Sequence, residues 1–390
     1  MLSKRLQGLS QSATLSLNAK ISELRALGKD IIAFAAGEPD IDTPDFIKQA
    51  CIKALKEGKT KYTPSGGIFP LREILSESIN ARKRADYSPS SITITSGAKM
   101  ALFLVFSAIL DEGDEVLIPS PYWVTYPEQV KLLGGVPVFV DLPEDRGFEL
   151  IPELFIERIT TRTKAVVINS PCNPTGAVYT KSSIEKLAEI CLSKGIYIIS
   201  DECYEELTFD GILAFSPISI SKEVREITFL VSAFSKSFSM TGWRVGYVAS
   251  PERFSKAIEN LNGQTISNAT SFAQYAAYEA LKNPLSMEFL KYLRDTFQKR
   301  RDISFSELSK LGLSVNKPSG AFYILANFRN YLSSLGEEEL LNVFLDFGVA
   351  CVPGSPFGAK GLFRLSFCLS EENIKEGIRR ISLAIDSLSR

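Results

Sequence analysis

Lys236 lies in the run SAFSKSFSMTGWRVGY, just after the strand-like segment ITFLV, and Asp201 directly follows a second apolar segment, IYIIS. Tyr204 stands three residues further on, and the run NSPCNPTG supplies Asn173. Each has a plain reading when taken singly, a solvated lysine or an aspartate capping a helix. As a set they solve one chemical problem, the stabilisation of a carbanion next to an amino-acid nitrogen. A lysine amine can carry an aldehyde as an imine, and an anionic carboxylate can keep a pyridine nitrogen protonated so that its ring accepts electrons. A phenol and an amide near the ring oxygen would tune that imine. A phosphate on such a ring would need a helix N-terminus with small residues, and the turn Ser96-Gly97-Ala98 precedes a helical stretch over 99–110.

The chain contains no histidine. Serine and cysteine triads, histidine-held metals and imidazole acid–base catalysis are therefore excluded in their usual forms. Proton transfer falls to lysine, tyrosine or a carboxylate. Six scattered cysteines without a CxxC pair point to reduced thiols, not to a zinc site or a disulfide framework. With 44 Lys and Arg against 45 Asp and Glu, and no long basic run, nucleic acid is not an expected partner. The apolar stretch MALFLVFSAIL (100–110) is well short of the ~20 residues that span a bilayer and reads as a buried helix. The N-terminal residues lack a secretory pattern, so the expected location is the cytoplasm.

The elements that must position these residues are visible as alternating runs. SITIT (91–95), EVLIP (115–119), VPVFV (136–140), KAVVIN (164–169), IYIIS (196–200), ITFLV (227–231) and RVGYVA (244–249) alternate with helical stretches. This is the pattern of an α/β fold with a mostly parallel seven-stranded sheet covered by helices. Such sheets bind ligands at the carboxyl ends of their strands. There the runs SGAK, SPYW, NSPCNPTG, SDECY and SAFSK carry polar residues, so several loops are expected to converge on one site. After Asn283-Pro284 a helical stretch over 285–311 leads into GAFYILANF, GVACVPG and FRLSFC, which read as a smaller α+β domain. The expected organisation is an N-terminal segment (1–45) packing on the small domain, a large domain (46–284), and an interdomain helix with the C-terminal small domain (285–390).

In order along the chain, SATLSLNAK, AAGEPD, GKTKYTPSGG, SPYW, NSPCNPTGAVY, SDECYEEL, SKSFSMTGWRVGY, PSGAFY and FRLSF resemble class I aminotransferases over nearly the full length. The resemblance is strongest to the Ib subgroup of bacterial aspartate aminotransferases. It implies fold type I, pyridoxal 5'-phosphate as cofactor, and a homodimer with shared active sites. The implied reaction moves an amino group between aspartate, or a related amino acid, and 2-oxoglutarate by a ping-pong Schiff-base mechanism. Lys236 would hold the cofactor and shuttle protons, and Asp201 would pair with the pyridinium nitrogen. Tyr204 and Asn173 would bond the phenolic oxygen, and Trp123 would stack on the ring. Arg244 and the amides of Gly97, Ala98 and Lys99 would hold the phosphate, with Tyr62 reaching the neighbouring subunit's phosphate. Many relatives carry serine where this chain has Ala233, which shifts a phosphate contact towards Ser235.

For the substrate, the resemblance makes Arg364 in FRLSF the bidentate grip on the α-carboxylate, a geometry lysine cannot reproduce. Gly37 would bring a backbone amide to the same group. Lys99 and Thr14 match the residues that meet a distal carboxylate. An aromatic-amino-acid or prephenate aminotransferase, or a C–S lyase, stays open on the same scaffold. A regulator with an aminotransferase-like domain is disfavoured, because SATLSLNAK comes almost at once.

Overall fold

The computed structural model describes residues 3, 6, 8, 9, 13–332 and 335–388. Twelve strands occur among them: β1 (Ile32–Ala33), β2 (Ile92–Thr95), β3 (Glu115–Ser120), β4 (Val136–Asp141), β5 (Thr163–Asn169), β6 (Tyr197–Asp201), β7 (Thr228–Ala233), β8 (Gly246–Ala249), β9 (Tyr323–Asn327), β10 (Val349–Ala350), β11 (Val352–Pro353) and β12 (Leu362–Ser366). Seven of them form one sheet in the order β2-β8-β7-β6-β5-β3-β4. β3 to β7 run parallel to one another, and β8 alone runs against both of its neighbours. β2, β3, β5, β6 and β7 consequently end at one edge of the sheet. Continuous Val, Ile and Leu runs suit strands covered on both faces, and β2, β3 and β7 are buried at every position.

Two glycines set how closely the helix Ala98–Ile109 approaches that edge. A Cβ on Gly246 would lie 2.6 Å from the Gly97 carbonyl carbon and 2.7 Å from the Ala98 nitrogen, so only a bare backbone admits the helix start there. Gly97 caps the helix at φ 82°, in the region that disfavours side chains. The helix itself buries Ala101, Leu102, Leu104, Val105 and Phe106 completely, as expected for a largely apolar stretch.

The second half of the chain builds a smaller sheet in the order β11-β12-β9, all antiparallel, while β1 pairs in parallel with β10. Phe34, Phe322, Phe328, Phe344 and Phe363 are buried in its core together with Leu17 and Ile21 of the helix Ala13–Ala26. The helix Leu285–Lys310 crosses between cores, placing Leu290 in one and Leu293, Phe297 and Leu308 in the other. Its Arg301, fully buried, donates two 2.9 Å bonds to Asp210 and one of 2.7 Å to the Pro318 carbonyl.

Candidate active site

The carboxyl edge of the large sheet, the N-terminal segment and the small sheet enclose a cavity of about 810 Å³. Lys236 sits on a four-residue helix, Phe234–Ser237, that starts directly after β7, where its sequence context suggested a loop. Its Nζ donates to the Gly37 carbonyl at 2.5 Å and lies 5.6 Å from the Phe322 ring centroid and 6.0 Å from that of Tyr204. Burial pulls its ammonium below the ordinary lysine value, which favours the neutral amine.

Asp201 closes β6 with 3% of its surface exposed. The Tyr126 hydroxyl donates to its Oδ2 at 2.7 Å and the Cys203 N–H to its Oδ1 at 3.2 Å. Burial raises its carboxyl above the usual range, with those two bonds opposing the rise. Asp201 and Lys236 line the same cavity but form no ion pair with each other. A desolvated acid and a desolvated base left apart in one cavity call for a group between them.

Asn173 is anchored by its own N–H to Asn169 Oδ1 at 2.9 Å, and its Oδ1 accepts from Arg364 Nη1 at 3.0 Å. Arg364 rises from the middle of β12 with 2% of its surface exposed. Nη2 reaches the Ala35 carbonyl at 3.3 Å, while Nε is buried without a partner among the described residues. The guanidinium is held between two rings, 4.5 Å from the Tyr323 centroid and 4.8 Å from that of Phe357. A buried guanidinium with an unmet donor in a cavity is a receptor for an anion.

On the far side, Arg244 adopts a left-handed backbone at φ 56° and spans the turn below the Ala98–Ile109 helix. It donates from Nη1 to the Thr241 carbonyl at 2.9 Å and from Nη2 to that of Ser96 at 3.2 Å. A Cβ on Gly97 would fall 2.4 Å from Nη2, so the glycine lets the guanidinium lie against the helix start. The N–H groups of Ala98 and Lys99, which have no acceptor among the described residues, the cation beside them and the buried Ser235 make an anion cradle.

Lys236, Asp201, Tyr204, Asn173, Trp123, Ala98, Lys99, Ser235, Arg244, Gly37, Arg364 and Thr14 all line the cavity. Gly97 lies just behind it, under Arg244. Tyr62 does not line it and is 88% exposed, in the loop ahead of the helix Phe69–Lys83. Lys99 keeps its Nζ 5.2 Å from the Trp123 ring centroid, and desolvation, followed by the Arg244 charge, lowers its pKa. The sequence reading missed Asn169, Tyr126 and Tyr323. Tyr126 follows Trp123 by three residues, so helical spacing from the SPYW run was the available signal. Tyr323 ends PSGAFY, a run that carried no role of its own.

The family model described as aminotransferase class I and II matches residues 29–381. The chain belongs to the class I and II aminotransferase family. This aminotransferase is 56% identical over 390 residues to a protein of Aquifex aeolicus named "Probable aspartate/prephenate aminotransferase", with 99% of each chain covered. It is 45% identical over 385 residues to an aspartate aminotransferase of Geobacillus stearothermophilus, covering 97% of this chain and 98% of that one. Among solved structures, the aspartate aminotransferase from Thermus thermophilus with maleate superposes with a TM-score of 0.95 at 43% identity, over 98% of this chain and 99% of that one. The fold is therefore fold type I of the aminotransferases. Among the described residues no helix is long and apolar enough to cross a membrane, and no group of histidine, cysteine, aspartate or glutamate could hold a metal.

Proposed function

We propose that this aminotransferase uses pyridoxal 5'-phosphate, held at Lys236, to move amino groups between aspartate and 2-oxoglutarate in the cytoplasm. The observation that carries the cofactor reading is the separated pair Lys236 and Asp201, both desolvated in one cavity, with an anion cradle beside them. Bound there, the cofactor supplies an aldehyde for imine chemistry and a ring that takes up electron density.

The remaining steps belong to the chain's own residues. Asp201 keeps a proton on the ring nitrogen, and Tyr126 fixes the carboxylate for that task. Tyr204 and Asn173 bond the ring's phenolic oxygen, and Trp123 packs over the ring. Arg244, Ser235 and the N–H groups of Ala98 and Lys99 hold the phosphate, whereas the Gly97 N–H, expected to join them, donates to the Thr95 carbonyl at 2.8 Å. Arg364, with the backbone amide of Gly37, grips the substrate α-carboxylate. Lys236 would shuttle the substrate α-carbon proton in a 1,3 shift, and burial pulls its ammonium below the ordinary lysine value, towards the amine that can accept that proton. Lys99 and Thr14 meet the distal carboxylate. Tyr62, exposed on one protomer, serves the phosphate of its partner, which makes a homodimer the working unit. We read the chain as an N-terminal segment (1–45) packing with the small domain, a large cofactor-binding domain (46–284), and an interdomain helix with the C-terminal small domain (285–390).

Aspartate is favoured by the names of the relatives and by the dicarboxylate, maleate, that accompanies the Thermus thermophilus enzyme in its structure. A second reading, a ring-bearing substrate such as prephenate, is favoured by the cavity's apolar wall. There Tyr122 stacks on Phe139 with centroids 4.7 Å apart at 15°, and Leu15 and Leu132 line the same cavity. The test loads the protein with the cofactor, reduces it with borohydride and maps the label, then assays aspartate, glutamate, phenylalanine and prephenate pairs. Label on Lys236 with aspartate as the best donor supports the proposal. Label elsewhere overturns the cofactor assignment. Ammonia and pyruvate release instead of amino transfer would move the reaction to a lyase.

A further inference from the structure

Tyr323 opens β9 and is 1% exposed. Its hydroxyl lies 3.0 Å from that of Tyr204, with the two rings edge-on at 76°. One face of its ring carries the Arg364 guanidinium, and Phe357 carries the same cation from a second ring. The hydroxyl also lies against Gly37, 3.4 Å from where a Cβ on that residue would stand, an ordinary contact distance. A single side chain thus touches the group that would face the cofactor and the group that would face the substrate.

We propose that Tyr323 is the positioning residue that couples the two: its hydroxyl donates to Tyr204 and turns the Tyr204 proton into the cavity, while its ring sets Arg364 for the substrate carboxylate. Each phenol has one proton to donate and lone pairs to accept with. Were Tyr204 to spend its proton on Tyr323, none would remain for an oxygen in the cavity. Among the described residues each phenol has only the other as hydrogen-bond partner, and donation from Tyr323 is the direction that leaves the Tyr204 proton for the cavity. Its ring matters separately. Arg364 Nε has no partner among the described residues and its other contacts are single bonds to Asn173 and Ala35, so the flanking rings are what hold the planar fork in its aim. The charged and titratable groups facing the pair are Lys236 and Cys203 from the large sheet's edge, Arg364 and Cys368 on and after β12, and Glu38 from the N-terminal loop.

The proposal rests on the cofactor reading above, and its test separates the two. Wild type, Tyr323→Phe and Tyr323→Leu are loaded with pyridoxal 5'-phosphate. Their absorbance is titrated with pH, and each is titrated with succinate, a dicarboxylate that cannot react. Phenylalanine keeps the ring and the volume but removes the hydrogen bond that polarises the Tyr204 hydroxyl. Tyr204 then becomes a poorer donor to the phenolic oxygen, and the absorbance midpoint rises by roughly half a unit, with succinate affinity unchanged. Leucine removes the ring as well, and succinate affinity falls about 5- to 30-fold. Equal midpoints in Tyr323→Phe and wild type overturn the proton role. Succinate affinity in Tyr323→Leu equal to that in Tyr323→Phe overturns the ring role. No chromophore in wild type itself would overturn the cofactor reading, and this proposal with it.

Discussion

The Tyr126 hydroxyl donates a 2.7 Å hydrogen bond to Oδ2 of Asp201, a carboxylate with 3% of its surface exposed and no cation bonded to it among the described residues. The bond joins the first turn after SPYW to the end of β6, across 75 residues of chain. It holds the carboxylate in place while leaving its charge uncompensated, which suits a cationic ring nitrogen as the missing partner.

That relationship predicts a trade between stability and cofactor binding. Burial raises the Asp201 carboxyl, so the folded apoprotein is favoured while the group is protonated, and that advantage is lost as pH rises through the folded-state value. At neutral pH the charge is a burden on the apoprotein. Asp201→Asn is expected to raise the apoprotein melting temperature there by roughly 1 to 3 °C, with the difference vanishing at acid pH. Cofactor binding should weaken at the same time. Calorimetry of the two apoproteins at several pH values checks this, and a lower melting temperature at neutral pH counts against it.

Arg364→Lys keeps the charge but replaces the planar fork by a point. Losing one charge-assisted bond of about 1.5 to 3 kcal/mol should lower kcat/KM by about 10- to 150-fold. Every amino acid should suffer alike, because all share the α-carboxylate. A defect confined to dicarboxylic substrates would move Arg364's role to the distal end.

Lys99→Ala is read as a ratio. If Lys99 meets the distal carboxylate, aspartate and glutamate lose about 1.5 to 3 kcal/mol of transition-state binding while phenylalanine is spared. Because Lys99 also stands in the first turn of the Ala98–Ile109 helix beside Arg244, a uniform loss with weaker cofactor affinity would assign it to the phosphate instead.

Behind Asp201, Lys83 Nζ bridges Glu202 at 2.7 Å and Glu205 at 2.6 Å, and Glu202 also accepts from Ser200 at 2.8 Å and Ser216 at 2.5 Å. Lys83→Met leaves buried carboxylates without their cation, at a cost of about 3 to 5 kcal/mol. Adding Glu202→Gln should recover part of it. Denaturant titration of the single and double variants measures both, and additive losses would mean that the residues do not act as one network.

Strands and site motifs were legible in the sequence because both are local. The β-branched runs fall on β2 to β8 within a few residues, and each chemically loaded run sits at a strand end or helix start, where short-range propensity and turn chemistry act. Lys236, Asp201, Asn173 and Arg364 could thus be chosen by type and setting alone. What only the tertiary structure decided are the contacts between them: Tyr126 with Asp201, Tyr204 with Tyr323 across 119 residues, and Arg364 with Asn173 across 191. The reversed direction of β8 also escaped the pattern, since residue periodicity is the same in either direction. Hydrophobic periodicity records which face of an element is buried. Which distant side chain meets it there depends on strand order, on the crossing of the Leu285–Lys310 helix between cores, and on glycines such as Gly246 that let one backbone touch another.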